Sequence, residues 1–185
     1  MLAGEIDNTS SSQPQLSTLA TSENKKIVVV GSGGSGKSSI VTRLINNSFN
    51  EEYQQTIGAD MFVKQISNSS KKHTLQIWSC GGHERYRSLY EQFYEDCDCV
   101  LVVFDMTNEA SFQDALFWHN EIRRCIPEAL SYLIGNRIDE SDKVKINIED
   151  AAKQAKTWNM TFKPVSAKTG QGISDLFAEI SDAIP

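Results

Sequence analysis

Lys25-Lys26-Ile27-Val28-Val29-Val30-Gly31-Ser32-Gly33-Gly34-Ser35-Gly36-Lys37-Ser38 decides the fold of this 185-residue chain. The last eight residues fit G-x-x-x-x-G-K-S/T, a phosphate-binding loop. The apolar, β-branched run before it suits a strand buried on both faces. After it, Ile40, Val41, Leu44 and Ile45 recur at helical spacing, so the loop opens a helix that ends near Asn46-Asn47. Glycines let successive amide N–H groups point into one concavity, which the positive end of the helix dipole also faces. An anion is expected there, held by Gly33, Gly34, Ser35, Gly36, Lys37, Ser38 and Ser39. Lys37 can reach the β- and γ-phosphates, and the Ser38 hydroxyl can take one position on Mg²⁺. The alternative, a flexible Gly/Ser turn that matches by chance, leaves the flanking strand and helix unexplained.

Outward from this motif, strands alternate with helices. Ala59 to Ile66 has strand character, Asn68 to Lys72 is a turn candidate, and His73 to Trp78 pairs back as a hairpin. Val100 to Phe104 reads as a buried strand, and Tyr132 to Ile134 and Phe162 to Val165 as further strands. Helices are expected from Ser111, from Ile148 through Trp158, and from Ile173 to Ile184 behind Gly172. This order predicts an α/β fold, with a mainly parallel sheet covered on both faces and ligands at the strand carboxyl ends.

Composition narrows the class without choosing a function. Lys plus Arg number 18 against 24 Asp plus Glu, a formal net charge of −6, which disfavours a general nucleic-acid binder. Cys80, Cys97, Cys99 and Cys125 lack zinc-ligand spacing and read as reduced, partly buried thiols. Residues 1–23 are polar and lack a sustained apolar run, so a disordered arm is expected there and a folded domain over 24–185. No segment has the apolar length of a membrane span. A soluble cytoplasmic monomer is expected.

Further motifs fall in a telling order. Thr56-Ile57-Gly58 is followed by Trp78 to Ser88, then Asn136-Arg137-Ile138-Asp139 after a strand, then Ser166-Ala167-Lys168. With the phosphate loop, these resemble the Ras-like small GTPases. Ile57-Gly58-Ala59-Asp60-Met61, Glu84-Arg85-Tyr86-Arg87-Ser88 and Asp105-Met106-Thr107-Asn108 resemble the Rab branch within them. The resemblance spans roughly residues 25 to 184. It implies a P-loop G domain of about six strands, one of them antiparallel, binding GTP and GDP with Mg²⁺. It further implies a switch used in vesicle trafficking. Effectors and regulators would bind through switch I (50–58) and switch II (79–88), with Thr56 joining Ser38 on Mg²⁺ and Gly82 meeting the γ-phosphate. Asn136, Arg137, Asp139, Ser166, Ala167 and Lys168 would hold the base. Chemistry supports guanine: the Asp139 carboxylate can accept from N1–H and the exocyclic amine, an arrangement adenine cannot satisfy. Phe49 either packs on the base or is an ordinary core aromatic.

Switch II departs from the pattern W-D-T-A-G-Q-E, reading Trp78-Ser79-Cys80-Gly81-Gly82-His83-Glu84. Ser79 stands where an acidic residue holds a Mg²⁺-bound water, so weaker Mg²⁺ binding is expected. His83 stands where glutamine orients the attacking water, and an imidazole offers different hydrogen bonding and a variable charge. Lys37, Thr56, Gly82 and His83 are the candidate catalytic residues, with slow hydrolysis expected. His83 as a general base is a weaker reading, because phosphoryl transfer depends mainly on positioning and charge stabilisation. A pseudo-GTPase interaction module is the alternative function, and an adenine-nucleotide protein a more distant one. No cysteine follows Cys125, so no prenylation site is expected in this chain, and contact with endomembranes would run through partners. A truncated end, continuation into a second domain and a naturally unlipidated chain all fit this ending.

Overall fold

The computed structural model describes residues 23–67, 72–83 and 88–185. The expected arm and the expected turn at 68–72 lie outside these residues, except that Glu23 opens the first strand and Lys72 the third. In chain order the elements are β1 (Glu23–Val30), α1 (Lys37–Asn46), β2 (Ala59–Ser67), β3 (Lys72–Cys80), α2 (Glu91–Tyr94) and β4 (Cys99–Asp105). There follow α3 (Glu109–Cys125), β5 (Leu130–Asn136), α4 (Ile148–Thr157), β6 (Thr161–Pro164) and α5 (Ile173–Ala183).

The strands form one six-stranded sheet in the order β2-β3-β1-β4-β5-β6. Only β2 runs antiparallel, paired with β3 from Ala59 opposite Cys80 to Ser67 opposite Lys72. Alternation along β1 explains its unbroken apolar run. Ile27 and Val29 pack with Ile40 and Val41 of α1 and with Leu176, Phe177 and Ile180 of α5. Val28 and Val30 point to the other face, against Tyr94 of α2, Ala115, Trp118 and Ile122 of α3, and Ala151 and Ala155 of α4. The expected α/β sheet with helices on both faces is thus the fold observed.

Helix boundaries follow local capping. α3 starts at Glu109, two residues before the expected Ser111, because the Asn108 side chain accepts from the Ala110 N–H at 3.0 Å. Ser111 is instead buried one turn in, where its hydroxyl donates to the Asn108 carbonyl. Asn147 caps α4 in the same way, accepting from the Glu149 N–H at 2.7 Å. The short α2 had no periodic signal; buried Tyr90 and Tyr94 anchor it. Among the described residues no helix is long and apolar enough to cross a membrane.

Candidate functional site

The loop after β1, the carboxyl ends of β3 and β5 and the loop after β6 converge on a cavity of about 260 Å³. Gly33, Gly34, Gly36, Lys37, Ser38 and Ser39 line it from one side. Phe49, Thr56, Gly82, Asn136, Arg137, Asp139, Ala167 and Lys168 complete the wall. Ser35, Ser166 and His83 do not line it: Ser35 and Ser166 are buried behind the wall, and His83 is exposed.

One buried amide holds the loops together. Asn136 Nδ2 donates to the Ser35 carbonyl at 3.0 Å, and its Oδ1 accepts from the Ala167 N–H at 3.0 Å. The phosphate loop, β5 and the loop after β6 therefore share one side chain. Gly36 caps α1 with φ 93°, and a Cβ there would sit 2.1 Å from Asn136 Nδ2. Only glycine fits that approach. Lys37 is buried, and its ammonium donates to the carbonyls of Gly31 at 2.9 Å and Ser32 at 2.8 Å. Burial lowers its pKa to about 8.

At the opposite end, Asp139 lines the cavity with Oδ1 held by the Ser166 hydroxyl at 2.6 Å. Ser166 thus serves the wall through Asp139 rather than directly. Arg137 adopts φ 70°, a left-handed conformation that costs a non-glycine residue about 1–3 kcal/mol. Its guanidinium spans three groups: the Gly34 carbonyl at 3.1 Å, Asp105 Oδ2 at 3.3 Å and Glu140 Oε1 at 3.7 Å. A planar fork can make these contacts together where a lysine ammonium could not. Phe49 both lines the cavity and packs on the core formed with α1 and α5.

Sequence reasoning missed Arg43, Asp105 and Glu51. Arg43 in the last turn of α1 donates to the carbonyls of Ala167 at 2.9 Å and Lys168, fastening the base-side loop to the helix. Glu51 pairs with Lys168 at 2.8 Å across the cavity mouth, with both side chains exposed. The signal for these lay in tertiary proximity between separate elements, as in Arg43 to Ala167 at a separation of 124 and Asp105 to Arg137 across β4 and the loop after β5.

At the helix end of the cavity three hydroxyls meet. Ser38 Oγ lies 3.0 Å from Thr56 Oγ1 and 3.0 Å from the fully buried Ser79 Oγ. These are hard, neutral oxygens, which suit Mg²⁺ in kind while bringing it no formal charge. Switch I is seated on switch II by backbone: the Gly81 N–H donates to the Gly58 carbonyl at 2.7 Å, and a Cβ at Gly81 would lie 2.4 Å from the Thr56 carbonyl oxygen. The alanine of the family pattern has no room there. Cys80, next in line, is buried, and burial pushes its thiol up to about 12.

Gly81→Ala is therefore expected to displace the Thr56 segment, lowering stability by about 1–3 kcal/mol and quickening protease cleavage within residues 50–58. Denaturant unfolding and limited proteolysis check this; cleavage as slow as in the unchanged chain would contradict the packing described.

A family model described as Ras family matches residues 26–185. The chain is also similar to the Ras-related protein RABF2a of Arabidopsis thaliana, with 36% identity over 163 residues, 88% of this chain and 82% of that protein. Motif order, sheet topology, cavity and both comparisons agree: the chain belongs to the Ras family of small GTPases and is Rab-like within it.

Proposed function

We propose that this protein is a guanine-nucleotide switch of the Rab type that binds GTP and GDP with Mg²⁺, hydrolyses GTP slowly and acts in vesicle trafficking. The observation that carries the reading is the wall made by Asn136, Arg137 and Asp139 beside the phosphate loop. Asp139 is pre-oriented by Ser166, and Arg137 and Asn136 are tied to loop carbonyls. Such pre-organisation favours a ligand with a phosphate tail at one end and a guanine edge at the other. Adenine would leave the Asp139 carboxylate facing an acceptor.

Ser38 and Thr56 would hold Mg²⁺, with the phosphates supplying the charge the protein ligands lack; when bound, the ion neutralises charge developing on the phosphoryl oxygens. This chain's residues do the rest. Lys37, anchored at the Gly31 and Ser32 carbonyls, would give its remaining N–H to the phosphates, the loop amides bind oxygens, and Gly82 brings its amide to the γ end. Thr56 reports a triphosphate by ordering switch I. His83, exposed and outside the cavity wall, is poorly placed to orient a water in this conformation, and slow turnover follows. Tyr53 and Ile57 of switch I are 69% and 77% exposed, a surface suited to effectors and regulators. The protein would work in the cytoplasm and reach endomembranes through these partners.

The Ser79 hydroxyl and the position of His83 also favour a second reading, an interaction module that keeps its nucleotide without turnover. Single-turnover phosphate release from protein preloaded with GTP and Mg²⁺ separates the two. Slow conversion to retained GDP is expected, and GTP held intact for hours would favour the module. In the same assay Ser79→Asp should tighten Mg²⁺-dependent nucleotide retention, and His83→Gln should speed hydrolysis, each by roughly tenfold for about 1.4 kcal/mol. If both substitutions leave both quantities unchanged, the roles given to switch II are wrong.

A further inference from the structure

Helix α3 reaches the phosphate loop through the Asp114 carboxylate. Asp114 is partly buried, and its Oδ2 accepts from the Ser32 hydroxyl at 2.7 Å and from the Trp118 indole N–H at 3.3 Å. Trp118 lies one turn further along the helix and is 1% exposed, so the indole fixes the carboxylate in place from within its own element. Ser32 is the second residue of the loop. Its carbonyl accepts from Lys37 Nζ at 2.8 Å and from the Ser35 N–H at 3.3 Å. The Gly82 backbone lies against the same turn: a Cβ there would sit 2.4 Å from the Ser32 carbonyl carbon and 2.3 Å from the Gly33 nitrogen.

We propose that Asp114 is a positioning residue for the phosphate-binding loop: through Ser32 it fixes the turn that anchors Lys37 and sets a negative charge beside the end of the loop where switch II arrives. The inference rests on the nucleotide-binding reading above. The motif G-x-x-x-x-G-K-S leaves the side chain at residue 32 open, so nothing in the motif calls for this hydroxyl or for its partner 82 residues away. A 2.7 Å O–H···O⁻ bond is of the charge-assisted kind, among the stronger hydrogen bonds a side chain makes. Charge placement adds to the case. Ser79 leaves the end of β3 without the acidic group expected there, while Asp114 brings a carboxylate from α3 to the phosphate loop.

The full chain tests this with Ser32→Ala, Asp114→Ala, Asp114→Asn and the double variant Ser32→Ala/Asp114→Ala. Three quantities are read: release of a fluorescent GDP analogue, the ³¹P NMR spectrum of bound GDP, and Tm. Asp114→Ala and Ser32→Ala should each release the nucleotide about tenfold faster, as loss of a charge-assisted bond predicts. The double variant should be no faster than the worse single one, since the two groups act as one unit. The β-phosphate resonance should move more than the α. Asp114→Asn, which keeps an acceptor oxygen and loses the charge, should fall between. Effects that multiply in the double variant, or an unmoved β-phosphate resonance beside a lowered Tm, would overturn the proposal and leave only a structural tie between α3 and the loop. Should the unchanged chain retain no guanine nucleotide, the switch reading fails by itself. The same variants are then titrated with inorganic pyrophosphate, a probe of the loop alone. Weakened binding in Asp114→Ala and Asp114→Asn supports the positioning role, and unaltered binding overturns it.

Discussion

Everything at the nucleotide end of this fold depends on the side-chain amide of Asn136, which is 2% exposed and bonded at both ends to backbone from other elements. A buried amide that loses a partner costs about 1–3 kcal/mol, so the phosphate loop and the loop after β6 hold their positions together or not at all. Gly36 is glycine because this amide needs its space. Arg137, the next residue, tolerates its left-handed backbone because its side chain is over-determined by Gly34, Asp105 and Glu140. Strain in one loop is thus offset by bonds to two others, which fixes their spacing around the cavity.

The fold was legible from the sequence wherever the signal is local. The octapeptide, the unbroken apolar runs of β1 and β4, and the helical spacing after Lys37 each report a backbone state within a few residues. The edge position of β2 was not legible, because Met61, Phe62 and Val63 are all apolar in sequence and only the structure shows Phe62 and Ile66 on the packed face with Met61 and Val63 exposed. The start of α3 lies two residues before Ser111, a good capping residue in the abstract, because Asn108 accepts from the Ala110 N–H while the Ser111 hydroxyl donates back to the Asn108 carbonyl. The four-residue α2 escaped notice because it is shorter than the window in which periodicity can be read.

At the site, residue types were legible and their routes of action were not. Asp139 and Ser166 stood out as separate motifs, yet the bond between them emerges only when β5 and β6 lie side by side. Arg43 carries no motif, and Asp105 reads only as part of a family-like stretch; both act at the site through partners in other elements. Ser79 is the instructive case: the sequence registers a lost carboxylate, and the structure adds that its hydroxyl joins Ser38 and Thr56 in a neutral cluster. Switch I is therefore seated by hydroxyl and backbone contacts, among them Gly81 to Gly58.

A switch exists only if its two ligands stabilise the two states differently. The central claim is that Thr56 and Gly82 let switch I and switch II distinguish GTP from GDP despite the altered residues between them. Amide hydrogen exchange over residues 50–58, compared between the protein loaded with GDP and with a non-hydrolysable GTP analogue, tests it most directly. The account predicts markedly slower exchange there with the analogue. Equal exchange with both nucleotides would contradict it and leave a domain that binds guanine nucleotide without reading its phosphates.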